Sequence, residues 1–86
     1  GAAAQKIGEK LWKTSRASQV ICITHLPQIA AAGDAHLKVY KEDGSDSTIS
    51  RIRLLDREER VQEIAAMLSG KEITAVAMEA AENLLR

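Results

Sequence analysis

The sequence predicts an α/β fold whose sheet is incomplete within the chain. Three observations carry this. Val20-Ile21-Cys22-Ile23-Thr24 is a short apolar run rich in β-branched residues, the pattern of a strand buried on both faces of a parallel sheet. Leu37 and Val39 alternate with Lys38 and Tyr40, and Ile52 and Leu54 with Arg51 and Arg53, around an Asp43-Gly44-Ser45-Asp46 turn signal. That alternation predicts a β-hairpin. The remaining segments repeat apolar residues at helical spacing.

Taken in order, residues Ala2 to Ala17 read as a helix. Ala4, Ile7, Leu11 and Ser15 share one face, with Lys6, Glu9, Lys10 and Lys13 around the rest. Gly8 is a weak point within it. No capping residue precedes Ala2, so the chain is expected to be cut from something longer. Ser18 and Gln19 lead into the strand Val20 to Thr24. Pro27 suits the first turn of a short helix, where its missing N–H costs nothing. Gly33 is placed to end that helix near Ala32. A strand from Ala35 to Glu42 with one wet face follows, then the return strand Thr48 to Leu55. Asp56 reads as a helix N-cap, with Glu59 as the reciprocal partner of a capping box. The helix Arg57 to Ser69 carries Val61, Ile64, Ala65 and Leu68 on one stripe, and Gly70 ends it. A final helix, Glu72 to Leu85, places Ile73, Ala77, Ala80, Ala81 and Leu84 together.

The order is helix, strand, short helix, hairpin, helix, helix. There is no internal repeat, low-complexity tract or linker, so residues 1–86 form one domain or a piece of one. A strand apolar on both faces needs neighbours at its sides. The hairpin can supply one edge at most. The missing strands are therefore expected in sequence outside this chain, or in a partner.

Composition narrows the function classes. At 45% hydrophobic and 28% charged residues the chain is globular rather than disordered. It has no phenylalanine, one tryptophan and one tyrosine. Alanine-rich helix faces bury little area each, so low stability in isolation is expected. A formal net charge of zero leaves no overall electrostatic footprint for DNA or anionic membranes. The single cysteine excludes an intramolecular disulfide. Cys22 lies inside the apolar run and is expected as a buried thiol of a reducing compartment. No stretch has the length of a membrane span, and the start lacks a signal-peptide pattern.

The sequence offers four candidate chemistries. Cys22 and His25, three apart on a strand, point to opposite faces and cannot form a nucleophile pair unless the strand breaks between them. Cys22, His25, Asp34 and His36 could in principle ligate a metal, but their spacing fits no zinc pattern. His36, opening a strand, reads as a surface or half-buried histidine. A nucleotide site needs clustered glycines followed by Lys and Ser or Thr, and none occurs. Leu68-Ser69-Gly70 follows a helix, at the negative end of its dipole, and reads as a stop rather than a phosphate loop. His25 ends the apolar run at the carboxyl end of its strand, where open α/β sheets bind ligands. An imidazole there can donate a hydrogen bond to a phosphate oxygen.

The string Ile23-Thr24-His25-Leu26-Pro27-Gln28-Ile29-Ala30-Ala31 resembles the switch-histidine segment of the RecN bacterial DNA-repair family, relatives of the structural-maintenance-of-chromosomes ATPases. Ala3-Ala4-Gln5 with Ile7 to Leu11 resembles the helix after that family's D-loop. Asp34-Ala35-His36 with Leu37-Lys38-Val39 is similar to its next strand. Leu54-Leu55-Asp56, Glu59 to Ala65 and Met67 to Gly70 are similar to its closing segment. The resemblance implies the C-terminal portion of an ATP-binding-cassette head domain, with a buried strand and a β-hairpin packed against helices. It implies ATP and Mg²⁺ in the intact protein, sandwiched between two heads. His25 would be the switch histidine contacting the γ-phosphate, and Gly1 would end the D-loop. The implied partners are the remainder of the same head, a second head, and DNA. The implied location is the cytoplasm, at the nucleoid. Walker A, signature and Walker B motifs are not among these residues, so the segment alone is expected to be inactive. The alternative reading is a small α/β interaction module that self-associates to complete its sheet.

Overall fold

The structure is a computed structural model and describes residues 2–85. Gly1, which the resemblance sets at the end of the D-loop, lies outside the described residues. The elements run α1 (Ala2–Ser15), α2 (Pro27–Ala32), β1 (Leu37–Asp43), β2 (Thr48–Leu54), α3 (Arg57–Ser69) and α4 (Ala75–Leu85).

The core lies between α3 and α4. Val61, Ile64 and Ala65 interlock with Ala77, Ala81 and Leu85, and Ala30, Ala31 and Met78 pack against them. Ile64 is fully buried, and burying such a side chain stabilises by roughly 1.5–3 kcal/mol. The α3 N-terminus is fixed locally. The Asp56 carboxylate accepts from Glu59 N–H at 2.8 Å, and Glu59 Oε1 accepts from Asp56 N–H at 3.0 Å. Gly70, at φ 81°, ends the helix and donates to the Ala66 carbonyl at 2.8 Å. Arg57, in the first turn of α3, donates to the Leu85 carbonyl at 3.1 Å. The two helices therefore run antiparallel, with a cation at the carbonyl end of α4.

Two helix ends differ from expectation. The α1 helix stops at Ser15, and Arg16 and Ala17 continue as a hydrogen-bonded turn. The α4 helix starts at Ala75 rather than Glu72, because the Thr74 hydroxyl accepts from Ala77 N–H at 3.0 Å and caps it.

The hairpin forms, antiparallel, over Leu37–Asp43 and Thr48–Leu54 rather than Ala35 to Glu42 and Thr48 to Leu55, with Leu37 opposite Leu54 and Val39 opposite Ile52. Its orientation is the surprise. The four apolar residues share one face, and that face is the open one: Leu37, Val39, Ile52 and Leu54 are 60%, 67%, 69% and 63% exposed. The charged face reaches α3 only through long side chains, and β2 is exposed along its whole length. Lys38 pairs with Glu63 at 2.9 Å, and Arg53 pairs with Glu59. Two carboxylates on α3 thus face the basic side of the hairpin, and its apolar side is open.

The strand predicted at Val20 to Thr24 does not form. Residues 19–26 have no regular structure, and the sheet of the described residues has two strands, β1 and β2. A strand exists only with a ladder partner for its N–H and C=O groups. Here Ile21 is 83% and Ile23 99% exposed. Cys22, expected to be buried, is exposed for the same reason.

Candidate functional site

The segment leading into α2 carries His25. Its shape is set locally. The Thr24 hydroxyl accepts from Leu26 N–H at 3.0 Å, a short turn that redirects the chain into the helix. Leu26 adopts extended backbone angles as the N-cap, and Pro27 opens the helix. The Leu26 carbonyl accepts from Ile29 and Ala30. His25 itself is exposed, at the end of the unpaired apolar run.

Three contacts fix α2 and hence the place of His25. On α1, Gly8 is buried, and a Cβ there would lie 3.2 Å from the Gln28 carbonyl oxygen and 3.3 Å from Ala32 Cβ. The absent side chain lets the two helices approach closely. At the far end, Arg60 of α3 donates to the carbonyls of Ala30 at 3.2 Å and Gly33 at 2.9 Å. A guanidinium at the carbonyl end of a helix is favourable. Burial, then the neighbouring Arg57, lowers the Arg60 pKa from its ordinary value, with Asp34 opposing; it stays cationic. Finally, Arg16 pairs with Asp34 in the loop after α2 and lies 4.4 Å over the Trp12 ring.

The four sequence candidates are not gathered. Among the described residues no three His, Cys, Asp or Glu side chains come together as a metal site. Asp34 is engaged by Arg16. Cys22 lies exposed, its sulfur 4.0 Å from the Ile23 carbonyl oxygen. His36 is half-buried at the root of the hairpin, as read from the sequence. Its pKa is lowered by burial first and then by Arg60, with Lys38 adding to the effect and Glu63 opposing it. An open groove of about 290 Å³ between α1, α2 and α4, bordered by Gln5, Trp12, Gln28 and Leu84, does not include His25.

Sequence reasoning missed two positioning residues. Gly8 was read as a weak point, yet Ala4 and Gly8 at i, i+4 form a small-residue stripe that could have marked a close helix contact. Arg60 carried no signal of its own beyond lying one turn before Ile64 on the buried stripe.

The class of protein that emerges is an α/β segment with an ordered helical core, an unpaired apolar run and a histidine where that run meets a helix. Comparison with known proteins gives the family. No family model matches the chain. Proteins named DNA repair protein RecN match it throughout. That of Bacillus subtilis is 45% identical over 86 residues, 100% of this chain and 15% of the relative. That of Rickettsia bellii is 46% identical over 85 residues, 99% of the chain and 16% of the relative. That of Streptomyces coelicolor is 44% identical over 85 residues, 99% of the chain and 15% of the relative. By sequence, this chain belongs to the RecN family. It spans about 15% of the length of these relatives. Among the described residues, no helix is long and apolar enough to cross a membrane.

Proposed function

We propose that this chain is the C-terminal part of an ATP-binding-cassette, SMC-like head in a cytoplasmic, nucleoid-associated protein that hydrolyses ATP. That protein would act in DNA double-strand-break repair and recombination. The observation that carries the reading is the Thr24-His25-Leu26-Pro27-Gln28 segment. It pairs a family-like sequence with an exposed imidazole between an unpaired apolar run and a clamped helix.

The residues present fit a single contact to a bound nucleotide. His25 can donate a hydrogen bond to a γ-phosphate oxygen. These residues contain no glycine loop to cradle phosphate and no apolar strand ending in acidic residues to hold Mg²⁺. ATP and Mg²⁺ would thus be held chiefly by the remainder of the head and a second head. Within this chain, His25 would help align the attacking water and favour charge spreading onto the phosphoryl oxygens. Thr24 and Pro27 would aim it, and Gly8 and Arg60 would keep α2 in place.

The test is His25→Ala in the intact protein. ATP affinity should stay within about tenfold, since one lost hydrogen bond costs roughly 0.5–1.5 kcal/mol. Turnover should fall on the order of 10²-fold, as for other lost transition-state donors. Hydrolysis at the normal rate would remove His25 from the ATP site.

The exposed apolar residues Ile21, Ile23, Leu37, Val39, Ile52 and Leu54 also favour a second reading, a module that associates with its own copy. Under that reading the full protein would dimerise without nucleotide through this surface. Sedimentation of the intact protein with and without ATP, for wild type and Val39→Lys, separates the two.

A further inference from the structure

We infer that the root of the hairpin is a proton-sensitive latch: neutral His36 seats the β1–β2 hairpin on α3, and protonation of His36 releases it. The His36 carbonyl accepts from Leu55 N–H at 3.0 Å, closing the base of the hairpin, and Leu55 is buried there. The imidazole Nδ1 is buried without a hydrogen-bond partner. A neutral ring can keep its proton on Nε2 and leave Nδ1 bare, but a cationic ring must carry N–H on both. Protonation therefore puts a charged donor where no acceptor lies.

The charged groups facing the ring come from α3 and from β1: Arg60 and Glu63 from the helix, and Lys38 from the strand. Arg60 cannot withdraw, because its guanidinium is tied to the Ala30 and Gly33 carbonyls. Glu63, the one facing carboxylate, is engaged by Lys38 at 2.9 Å. Among the described residues, the salt bridges between hairpin and α3 are Lys38–Glu63 and Arg53–Glu59, both partly exposed. Such pairs hold weakly. The hairpin, rather than the α3–α4 core, is the part that yields.

The sign follows from linkage. The folded ring binds its proton less readily than an ordinary histidine near 6.5, chiefly through burial and then Arg60. The seated form is fully stable above that value and loses stability as pH falls through and below it.

The experiment is backbone hydrogen–deuterium exchange on the intact protein, read by mass spectrometry for peptides covering β1 and β2 and corrected for intrinsic rates. Between about pH 8 and about pH 5, hairpin protection should fall about tenfold, equivalent to about 1.4 kcal/mol, while α3 and α4 peptides change less. His36→Asn should flatten the response. Glu63→Gln, which breaks the Lys38 bridge between hairpin and α3, weakens the seated form and should move release to higher pH. Should a variant misfold, the wild-type C2–H exchange of His36 gives its own titration midpoint, which should lie below the ordinary value and coincide with hairpin release. Constant hairpin protection across the range overturns the latch. So does a His36→Asn response equal to wild type, or a His36 midpoint at or above the ordinary value.

Discussion

Gly8 offers the sharpest test of how α2, and with it His25, is held. In an exposed helix interior, replacing glycine by alanine stabilises by about 1 kcal/mol. Here the new Cβ would meet the Gln28 carbonyl oxygen at 3.2 Å, Ala32 Cβ at 3.3 Å and Ile29 Cα at 3.7 Å. The first two contacts are tighter than the roughly 3.5–4.0 Å of optimal packing. The nearest atom is backbone, so relief requires moving α2 as a body. Arg60 restrains its far end. The propensity gain and the strain should then roughly cancel, leaving Gly8→Ala within about 0.5 kcal/mol of wild type. Gly8→Val adds two further carbons to the same gap and should destabilise by about 1–3 kcal/mol, the usual range for overpacking. Urea unfolding followed by far-ultraviolet circular dichroism reads both, with an unchanged slope as the control that only stability has moved. A full gain of about 1 kcal/mol for Gly8→Ala, or a neutral Gly8→Val, would refute the close α1–α2 contact.

The other residues give simpler expectations. Asp56→Ala removes the N-cap acceptor for Glu59 N–H; it should cost about 1 kcal/mol in the same urea assay, with Asp56→Ser retaining most of the stability. Cys22→Ala should alter the stability of the isolated chain by less than about 0.5 kcal/mol, because the side chain is exposed. Thiol labelling then separates contexts. Cys22 should react rapidly in the isolated chain and slowly in the intact protein, if strands outside these residues pair with Val20 to Thr24. Equal rates in both would remove that pairing.

What the sequence made legible follows the range of the forces involved. The α3 boundaries came out as read, Arg57 to Ser69, because the Asp56–Glu59 box and Gly70 act over three or four residues. The hairpin was legible from its turn residues and alternation. Its facing was not, since the groups that its charged side meets, Glu59 and Glu63, lie on a later helix. Glu72 and Ile73 fit the α4 periodicity, but the Thr74 cap overrode it. The place of His25 at the end of the apolar run was readable, whereas the clamps on α2 are tertiary and were not. The family was legible from the string around His25, and the whole-length relatives bear it out.

The missing strand carries the most information, because its failure has a direction. Isolated exposed hydrophobics are ordinary on any surface. On the hairpin they recur at a spacing of two, Leu37 and Val39, Ile52 and Leu54, while Ile21, Cys22 and Ile23 are exposed in succession. Helical surfaces expose residues three and four apart, so a period of two is the mark of backbone meant for a sheet. Under the proposed function, the rest of the head would present strand edges to residues 20–24 and an apolar face to the hairpin. The helical core between α3 and α4 needs neither, and it forms within this chain. The order found is thus divided by physics rather than by position. Helices satisfy their own backbones and close locally, whereas Val20 to Thr24 has no ladder partner among the described residues. That division supports reading the chain as one side of a larger α/β domain, with His25 at the seam where the two parts would meet.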